Sequence, residues 1–260
     1  MPSALYDETR REVAVGTHLL VDFGLATGVR ASLGHVSVRV PGDPTKFVVK
    51  GRGYRLDTLA RMRQDDLVVC DLEANLVDGP PAIVPCTEVK IHSCIYKARP
   101  DVQSVVHVHP RFTVIMSVLG KPIRSMCNEG NSLVMDPIPV YPRQKIITTD
   151  EEGTEVARLL GSGRAVLLFG HGAVTAGSSM EQSVTDMIHL EHQAEMNYYA
   201  CAMAGPDHPY VSRELVLDYS SRPSHYELPH FKQAVAKAGM PKYRGVWAAW
   251  YEAAAAELDS

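Results

Sequence analysis

The sequence is short of several things, and each shortage excludes a class of protein. It has no lysine- or arginine-rich run and carries a formal net charge of -4. With a pI near 6.3, that balance argues against a nucleic-acid partner. No apolar stretch approaches the ~20 residues a membrane helix needs, and residues Met1 to Glu8 are acidic without an apolar centre. Neither a membrane span nor a signal peptide is therefore expected. Cysteine is sparse and unpatterned: Cys70, Cys86, Cys94, Cys127 and Cys201 contain no CxxC pair. An odd number without framework spacing points to free thiols in a reducing compartment, hence the cytoplasm. No repeat, low-complexity tract or linker divides the chain. What remains is 45% hydrophobic and 22% charged, enough apolar mass for a real core. One domain over residues 1–260 is expected, with a C-terminal helical extension from about 206 to 260.

The stretch that organises the chain is Val102 to Pro110, where Val105, Val106 and Val108 surround His107 and His109. A β-branched run bounded by Pro100 and Pro110 reads as a buried strand. Residues two apart on a strand share a face, so His107 and His109 point one way and Val106 and Val108 the other. Two such imidazoles are half a metal site, although an isolated pair is more often two unrelated histidines. Upstream, a helix is expected from about Thr87 to Ala98, with Ile91, Cys94, Ile95 and Ala98 at helical spacing. Glu88 falls in its first turn, where the helix dipole favours a carboxylate and capping is the ordinary explanation. This helix leads directly into the histidine strand, so its start and the strand's end belong on one side of a sheet, at the C-terminal edge where α/β sites gather. Downstream, the apolar strand Ala165 to Phe169 stops at Gly170-His171-Gly172. Glycines on both sides let the backbone present the His171 ring from a loop. Three histidines and one carboxylate satisfy a divalent first-row ion, with room left for water or substrate.

The other elements follow from periodicity and punctuation. We expect a helix from about Thr9 to Leu25, a strand in the second half of Ala31 to Val40, a turn at Pro41 to Pro44 and a strand from Phe47 to Lys50. Gly51-Arg52-Gly53 is either an anion-binding loop or a plain turn with a solvated arginine. Leu67 to Leu72 and Leu76-Val77 form a hairpin, Phe112 to Leu119 a helix, and Leu133 to Met135 a short strand. Capping boxes at Thr149/Glu152 and Ser178/Glu181 open helices ending near Gly161 and Met203. Ala173 to Thr175 resumes the strand broken at Gly170. His189 and His192, three apart on the second of these helices, permit a ligand pair but suit a surface position better. Phe231 to Lys237 and Val246 to Leu258 read as helices, the last with Trp247, Trp250 and Tyr251 as core or subunit contact.

The segment from Pro85 to His109 resembles the metal-binding core of the class II aldolase/adducin superfamily: a glutamate at a helix head, the Arg99-Pro100-Asp101 turn and a valine-rich HxH strand. Gly170-His171-Gly172-Ala173 is similar to that family's later histidine–glycine motif, and Gly34-His35-Val36-Ser37 to its early glycine-asparagine-x-serine motif. The resemblance covers roughly residues 10 to 205. It implies an α/β fold, a three-layer αβα single domain with a central mixed β-sheet, assembled as a homotetramer or larger with active sites between subunits. It implies His107, His109 and His171 as ligands of one divalent metal ion per subunit (zinc, manganese, iron or cobalt), and Glu88 as a further ligand and the catalytic proton-transferring group.

The departures from the family pattern bear on substrate. Its sugar-phosphate aldolases have asparagine at the position of His35, a threonine–glycine where this chain has Gly51-Arg52-Gly53, and two serines where it has Cys86-Thr87, positions that grip the phosphate. They also use a tyrosine after the HxH strand as proton donor, and residues 111–140 contain none. The string Gly34 to Arg39 is similar instead to a branch that decarboxylates hydroxylated aromatic dicarboxylates, including dihydroxyphthalate and hydroxy-methylpyridine dicarboxylate, and His107 to Arg111, with Cys127 to Gly130 and Gly170 to Thr175, resembles its dihydroxyphthalate members. That branch implies a small aromatic acid as substrate and a metal acting as Lewis acid. Glu88 would protonate the ring, its pKa raised by partial desolvation, while Lys50, Arg52 and His35 hold the second carboxylate. Thr87 and His192 would complete the substrate pocket. The alternative is a class II sugar-phosphate aldolase or epimerase working through a metal-stabilised enediolate; a scaffold of the adducin kind, without the metal, sits poorly with four intact ligand positions.

Overall fold

Alternation of apolar residues along nine strands builds a sheet with a core on each face. The computed structural model describes residues 2–53, 57–223, 227–239, 243 and 245–259. Its strands are β1 (Gly34–Arg39), β2 (Lys46–Arg52), β3 (Leu67–Asp71), β4 (Leu76–Asp78), β5 (Val84–Pro85), β6 (Ser104–Val108), β7 (Val140–Tyr141), β8 (Ala165–Leu168) and β9 (Gly172–Gly177). They run in the order β4-β3-β2-β1-β6-β9-β8-β7, with β5 on β2. Every pairing is antiparallel except that of β7 with β8, so the sheet is mixed. The helices are α1 (Pro2–Asp22), α2 (Val89–Ala98), α3 (Arg111–Leu119), α4 (Asp150–Leu160), α5 (Met180–Ala204), α6 (Arg213–Ser220), α7 (Pro229–Ala238) and α8 (Gly245–Leu258).

On one face Val36, Val38, Val48, Val69, Val106 and Val108 pack with Val13 and Leu20 of α1, Val184 and Met187 of α5 and Trp247 of α8. On the other, Phe47, Val49, Val68, Val105, Val166 and Val174 pack with Ile91 and Ile95 of α2 and Val156 and Leu160 of α4. The result is the expected three-layer αβα fold. Each fully buried valine or leucine contributes about 1.5–3 kcal/mol, and a one-residue slip would exchange the faces of a whole strand. The register that carries His107 is therefore held by the valines on either side of it.

Several expectations change in detail. The first helix starts at Pro2, not Thr9; proline is at home in a first turn. β8 and β9 are two antiparallel strands, not one resumed strand, and residues 169–171 form the tip between them. Leu133 to Met135 is no strand: Leu133 N–H bonds the Gly130 carbonyl in a turn. Gly51 and Arg52 lie within β2, paired with β5, so the expected loop is a strand end. The cap of α5 is Ser179, accepting from the Gln182 amide, one residue later than the Ser178/Glu181 box; the Thr149/Glu152 box is present as read. The C-terminal aromatics are core within this chain: Trp247 is buried, and the Trp250 ring lies 4.5 Å from Phe23, pinning α8 on α1. Among the described residues no helix is long and apolar enough to cross a membrane, and all five cysteines are free.

Candidate metal centre

Strand alternation and register deliver the histidines. His107 shares the β6 face of Val105, opposite Val106 and Val108. It sits directly across from His35 on β1 and Val174 on β9, and His109 follows at the strand's end. Because Val108 pairs with Ala173, the β8–β9 tip swings His171 alongside. The His171 ring lies 4.5 Å from that of His109 and 5.1 Å from that of His107. Helix α2 covers this face and brings in Glu88. That residue occupies the N-cap position but makes no capping bond, contrary to the ordinary explanation. Instead its Oε1 accepts from Ile147 N–H at 2.9 Å, and its Oε2 lies 3.3 Å from His107 Nε2 and 3.4 Å from His171 Nε2. One ligand atom from each of Glu88, His107, His109 and His171 lies within 4.8 Å of the others.

The residues present fit a divalent ion. His107 Nδ1 is 2.9 Å from the Ala173 carbonyl, which can only accept, so the proton is on Nδ1 and the Nε2 lone pair faces the centre. His107 Nε2 and His171 Nδ1 are buried without any hydrogen-bond partner, and orphaned buried polar atoms are costly unless something satisfies them. Burial, reinforced by His107 and His171, lowers the His109 pKa to about 3, so this imidazole is neutral and its lone pair free at neutral pH. Burial also opposes ionisation of Glu88, but the imidazoles of His107 and His171 beside it outweigh that effect and hold the carboxyl well below the usual range. The expected upward shift is thus reversed: desolvation acts in that direction and loses.

Four of the five expected substrate-binding residues gather at one cavity of about 50 Å³, where His35, Lys50, Arg52 and Thr87 line the walls with Glu88 and His109. Lys50 is buried; its ammonium donates to the Ser32 carbonyl at 2.8 Å and pairs with Asp57 at 2.5 Å. Arg52 pairs with the same Asp57 at 2.7 Å and donates to Thr87 Oγ1 at 2.7 Å. The fifth, His192, is exposed on α5 near Glu129 and His189, away from this cavity's lining. A second cavity of about 290 Å³ opens on the other side of His109, lined by Gln144, Lys145, Ile146, Gly170 and His171. The sequence held no periodic signal for Gln144 to Ile147. It did hold one for His92 and Tyr96, which follow Glu88 at four and eight residues.

Fold and site together describe a three-layer αβα protein with three histidines and one carboxylate gathered at the end of a central strand, a set that could hold a metal ion. Residues 11–198 match the model of the Class II Aldolase and Adducin N-terminal domain, and the chain belongs to that family. Over 206 residues it is 30% identical to 3,4-dihydroxyphthalate decarboxylase of Arthrobacter keyseri, spanning 75% of this chain and 80% of that one. Over 242 residues it is 27% identical to the protein of the same name from Terrabacter sp. (strain DBF63), spanning 90% and 98%. Among solved structures, L-fuculose 1-phosphate aldolase from Glaciozyma antarctica PI12 superposes with a TM-score of 0.75 at 19% identity, over 100% of this chain and 93% of that one, a likeness of fold.

Proposed function

We propose that the protein is a divalent-metal-dependent carboxy-lyase that decarboxylates a hydroxylated aromatic dicarboxylate such as 3,4-dihydroxyphthalate. The observation that carries this reading is the pair of cations on one wall: Lys50 and Arg52 reach the same cavity as Glu88 and His109, and Asp57 offsets only one of their two charges. A carboxylate beside the metal centre suits that wall, a guanidinium being shaped for two-point binding. The likeness to dihydroxyphthalate decarboxylases along most of the chain supports the substrate class. The 50 Å³ space holds no more than a small anionic group, against ~30 Å³ for one water. The ring therefore belongs in the 290 Å³ cavity beside Ile146.

His107, His109, His171 and Glu88 would hold the metal, which supplies Lewis acidity toward the substrate's oxygens. Glu88, ionised by its neighbours, takes the proton of the ring hydroxyl and returns it to the adjacent carbon that bears the carboxylate. In the resulting keto tautomer the bond to the carboxylate breaks, carbon dioxide leaves, its electron pair restores the aromatic ring, and one proton from water regenerates the hydroxyl. Arg52, steadied by Thr87 and Asp57, and Lys50 hold the second carboxylate throughout. We place the enzyme in the cytoplasm, in keeping with its free thiols. We also propose a homotetramer or larger, since Leu119, Tyr199, Met203 and Leu215 leave apolar side chains exposed on α3, α5 and α6, with His192 and the C-terminal helices reaching a neighbour's site. Incubating the metal-loaded protein with 3,4-dihydroxyphthalate and, separately, with fuculose 1-phosphate tests the reading. Carbon dioxide from the aromatic acid alone is expected; aldehyde from the sugar phosphate would replace it with aldol cleavage. Light scattering reads the assembly.

A further inference from the structure

Behind the metal centre runs a chain of four buried polar side chains that the ligand set does not use. His35 and Ser37 lie two apart on the inner face of β1, and His92 and Tyr96 lie four apart on α2 above them. Their exposures are 5%, 0%, 0% and 1%. His35 Nδ1 lies 2.6 Å from His92 Nε2, His92 Nδ1 lies 2.6 Å from Ser37 Oγ, and Ser37 Oγ lies 2.7 Å from Tyr96 Oη. Both nitrogens of His92 are therefore committed. His35, its Nδ1 taken, has Nε2 left for the cavity that it lines with Lys50 and Arg52. Its ring also lies 5.1 Å from that of His107, its cross-strand partner.

Each hydroxyl donates once and each neutral imidazole carries one proton, and the contacts of Ser37 Oγ are His92 and Tyr96, so with every donor in the chain satisfied it can point in only two directions. Both rings are buried and their hydrogen bonds run to each other and to Ser37, not to a carboxylate, so both imidazoles are neutral. If the chain points outward, His35 donates to His92, His92 to Ser37 and Ser37 to Tyr96, and the phenol is left to donate to the Gln103 carbonyl at 3.5 Å. That distance is at the edge of a hydrogen bond. If it points inward, Tyr96 donates to Ser37 at 2.7 Å and Ser37 to His92 Nδ1 at 2.6 Å. His92 Nε2–H then donates to His35 Nδ1, so every link is short. The inward direction puts the remaining proton of His35 on Nε2.

We propose that His92, with Ser37, is a positioning residue that fixes His35 as its Nε2–H tautomer, so that His35 offers the substrate's second carboxylate an N–H donor and not a base. The inference rests on the decarboxylase reading for the identity of the carboxylate and on the hydrogen-bond geometry alone for the tautomer. It makes the binding wall uniform: ammonium, guanidinium and imidazole N–H are all donors, matched to a carboxylate that only accepts. With the opposite tautomer, a lone pair would face that anion.

The test uses protein labelled with ¹⁵N at the histidine rings, metal-free and zinc-loaded, read by long-range ¹H–¹⁵N correlation. His35 is assigned from His35→Asn, and Ser37→Ala and Ser37→Thr are compared with the parent chain. The expected result is the Nε2–H tautomer of His35 in the parent and in Ser37→Thr, and its loss in Ser37→Ala. KM for 3,4-dihydroxyphthalate should rise about tenfold or more in Ser37→Ala, as for a lost bond to a charged group, with kcat moving less and Ser37→Thr restoring both. An Nδ1–H tautomer in the parent, or a Ser37→Ala chain with unchanged tautomer and KM, overturns the proposal. If the tautomer behaves as stated but no aromatic dicarboxylate turns over, the positioning role stands and only the substrate reading falls.

Discussion

The two glycines around His171 separate backbone strain from lack of space, and alanine at each should break the centre differently. Gly170 has φ +59, and a Cβ there would meet nothing closer than 3.5 Å. Alanine at this position forces a left-handed residue, at about 1–2 kcal/mol, and leaves the surrounding atoms where they are. Gly172 needs no unusual φ, but a Cβ there would lie 2.4 Å from the Val108 carbonyl oxygen, 3.1 Å from His107 Cε1 and 3.2 Å from His109 Cδ2. The first contact is backbone and cannot rotate away, so β9 must retreat from β6 at the very pair, Val108 with Ala173, that aligns His171 with His109. Overpacking of this kind costs about 1–3 kcal/mol, close to the strain at Gly170. The two variants should therefore lose similar stability in urea titrations of the metal-free protein. Metal affinity should tell them apart. Gly170→Ala should stay near the parent, whereas Gly172→Ala moves two ligands and should weaken binding by at least the ~10–100-fold seen when ligands are merely misoriented. Competition against a chromophoric chelator reads this directly. Parent-like affinity in Gly172→Ala would refute the claim that close approach of β9 builds the site.

Removing a ligand outright should act more simply. His109→Ala is expected to lose bound metal on dialysis, measured by elemental analysis, while its metal-free circular dichroism and urea midpoint stay near the parent, since His109 lies past the end of β6. For the cation wall, Arg52→Ala should raise KM for the aromatic acid about 10–100-fold, the worth of a hydrogen bond to a charged group, with kcat changed less; an unchanged KM would remove Arg52 from substrate binding. The pH dependence of stability has a definite sign. His92 and His109 are lowered to about 3 and His35 well below its ordinary value, whereas the unfolded chain protonates histidine near 6.5. Below that pH the unfolded state binds more protons, so stability present above about 6.5 is lost as pH falls. Asp186, raised to about 6 by burial against the opposing pull of Arg164, works the other way and offsets one of the three. Urea midpoints of metal-free protein at pH 7, 6 and 5 should decline, with a limiting slope of roughly 3 kcal/mol per pH unit; a flat profile would mean the folded core accepts these protons.

The parts of the site legible in the chain were those that local rules place. Period-two alternation put His107 and His109 on one face, and two glycines marked His171 as a presented ring; both positions follow from a few neighbouring residues. Which strands flank β6 is a long-range outcome, so the meeting of His35 with His107, and of Lys50 and Arg52 with Glu88, came from family resemblance and not from spacing. Glu88 shows a different limit. Burial of its carboxyl was readable, and its direction was right, but the sign of its pKa shift belongs to His107 and His171, which reach it across the sheet. His92 and Tyr96 were missed for a reason that can be stated. Apolar periodicity assigns the polar residues of a helix to solvent. Helix α2, however, lies between the sheet and α4, so residues 91–96 are all buried, among them His92, Ser93 and Tyr96. A helix covered on two sides has no solvent face to absorb its polar row, and burial there is costly unless a partner is found, as His92 and Tyr96 find one and Ser93 Oγ does not. Glu88, His92 and Tyr96, spaced at four residues, form such a row over β1 and β6. Their partners are His107 and His171 for the first, His35 and Ser37 for the second and Ser37 for the third. The regular spacing of three hydrogen-bonding side chains along one helix was therefore the signal in the sequence that the region behind the metal is polar, connected and built to hold His35 in place.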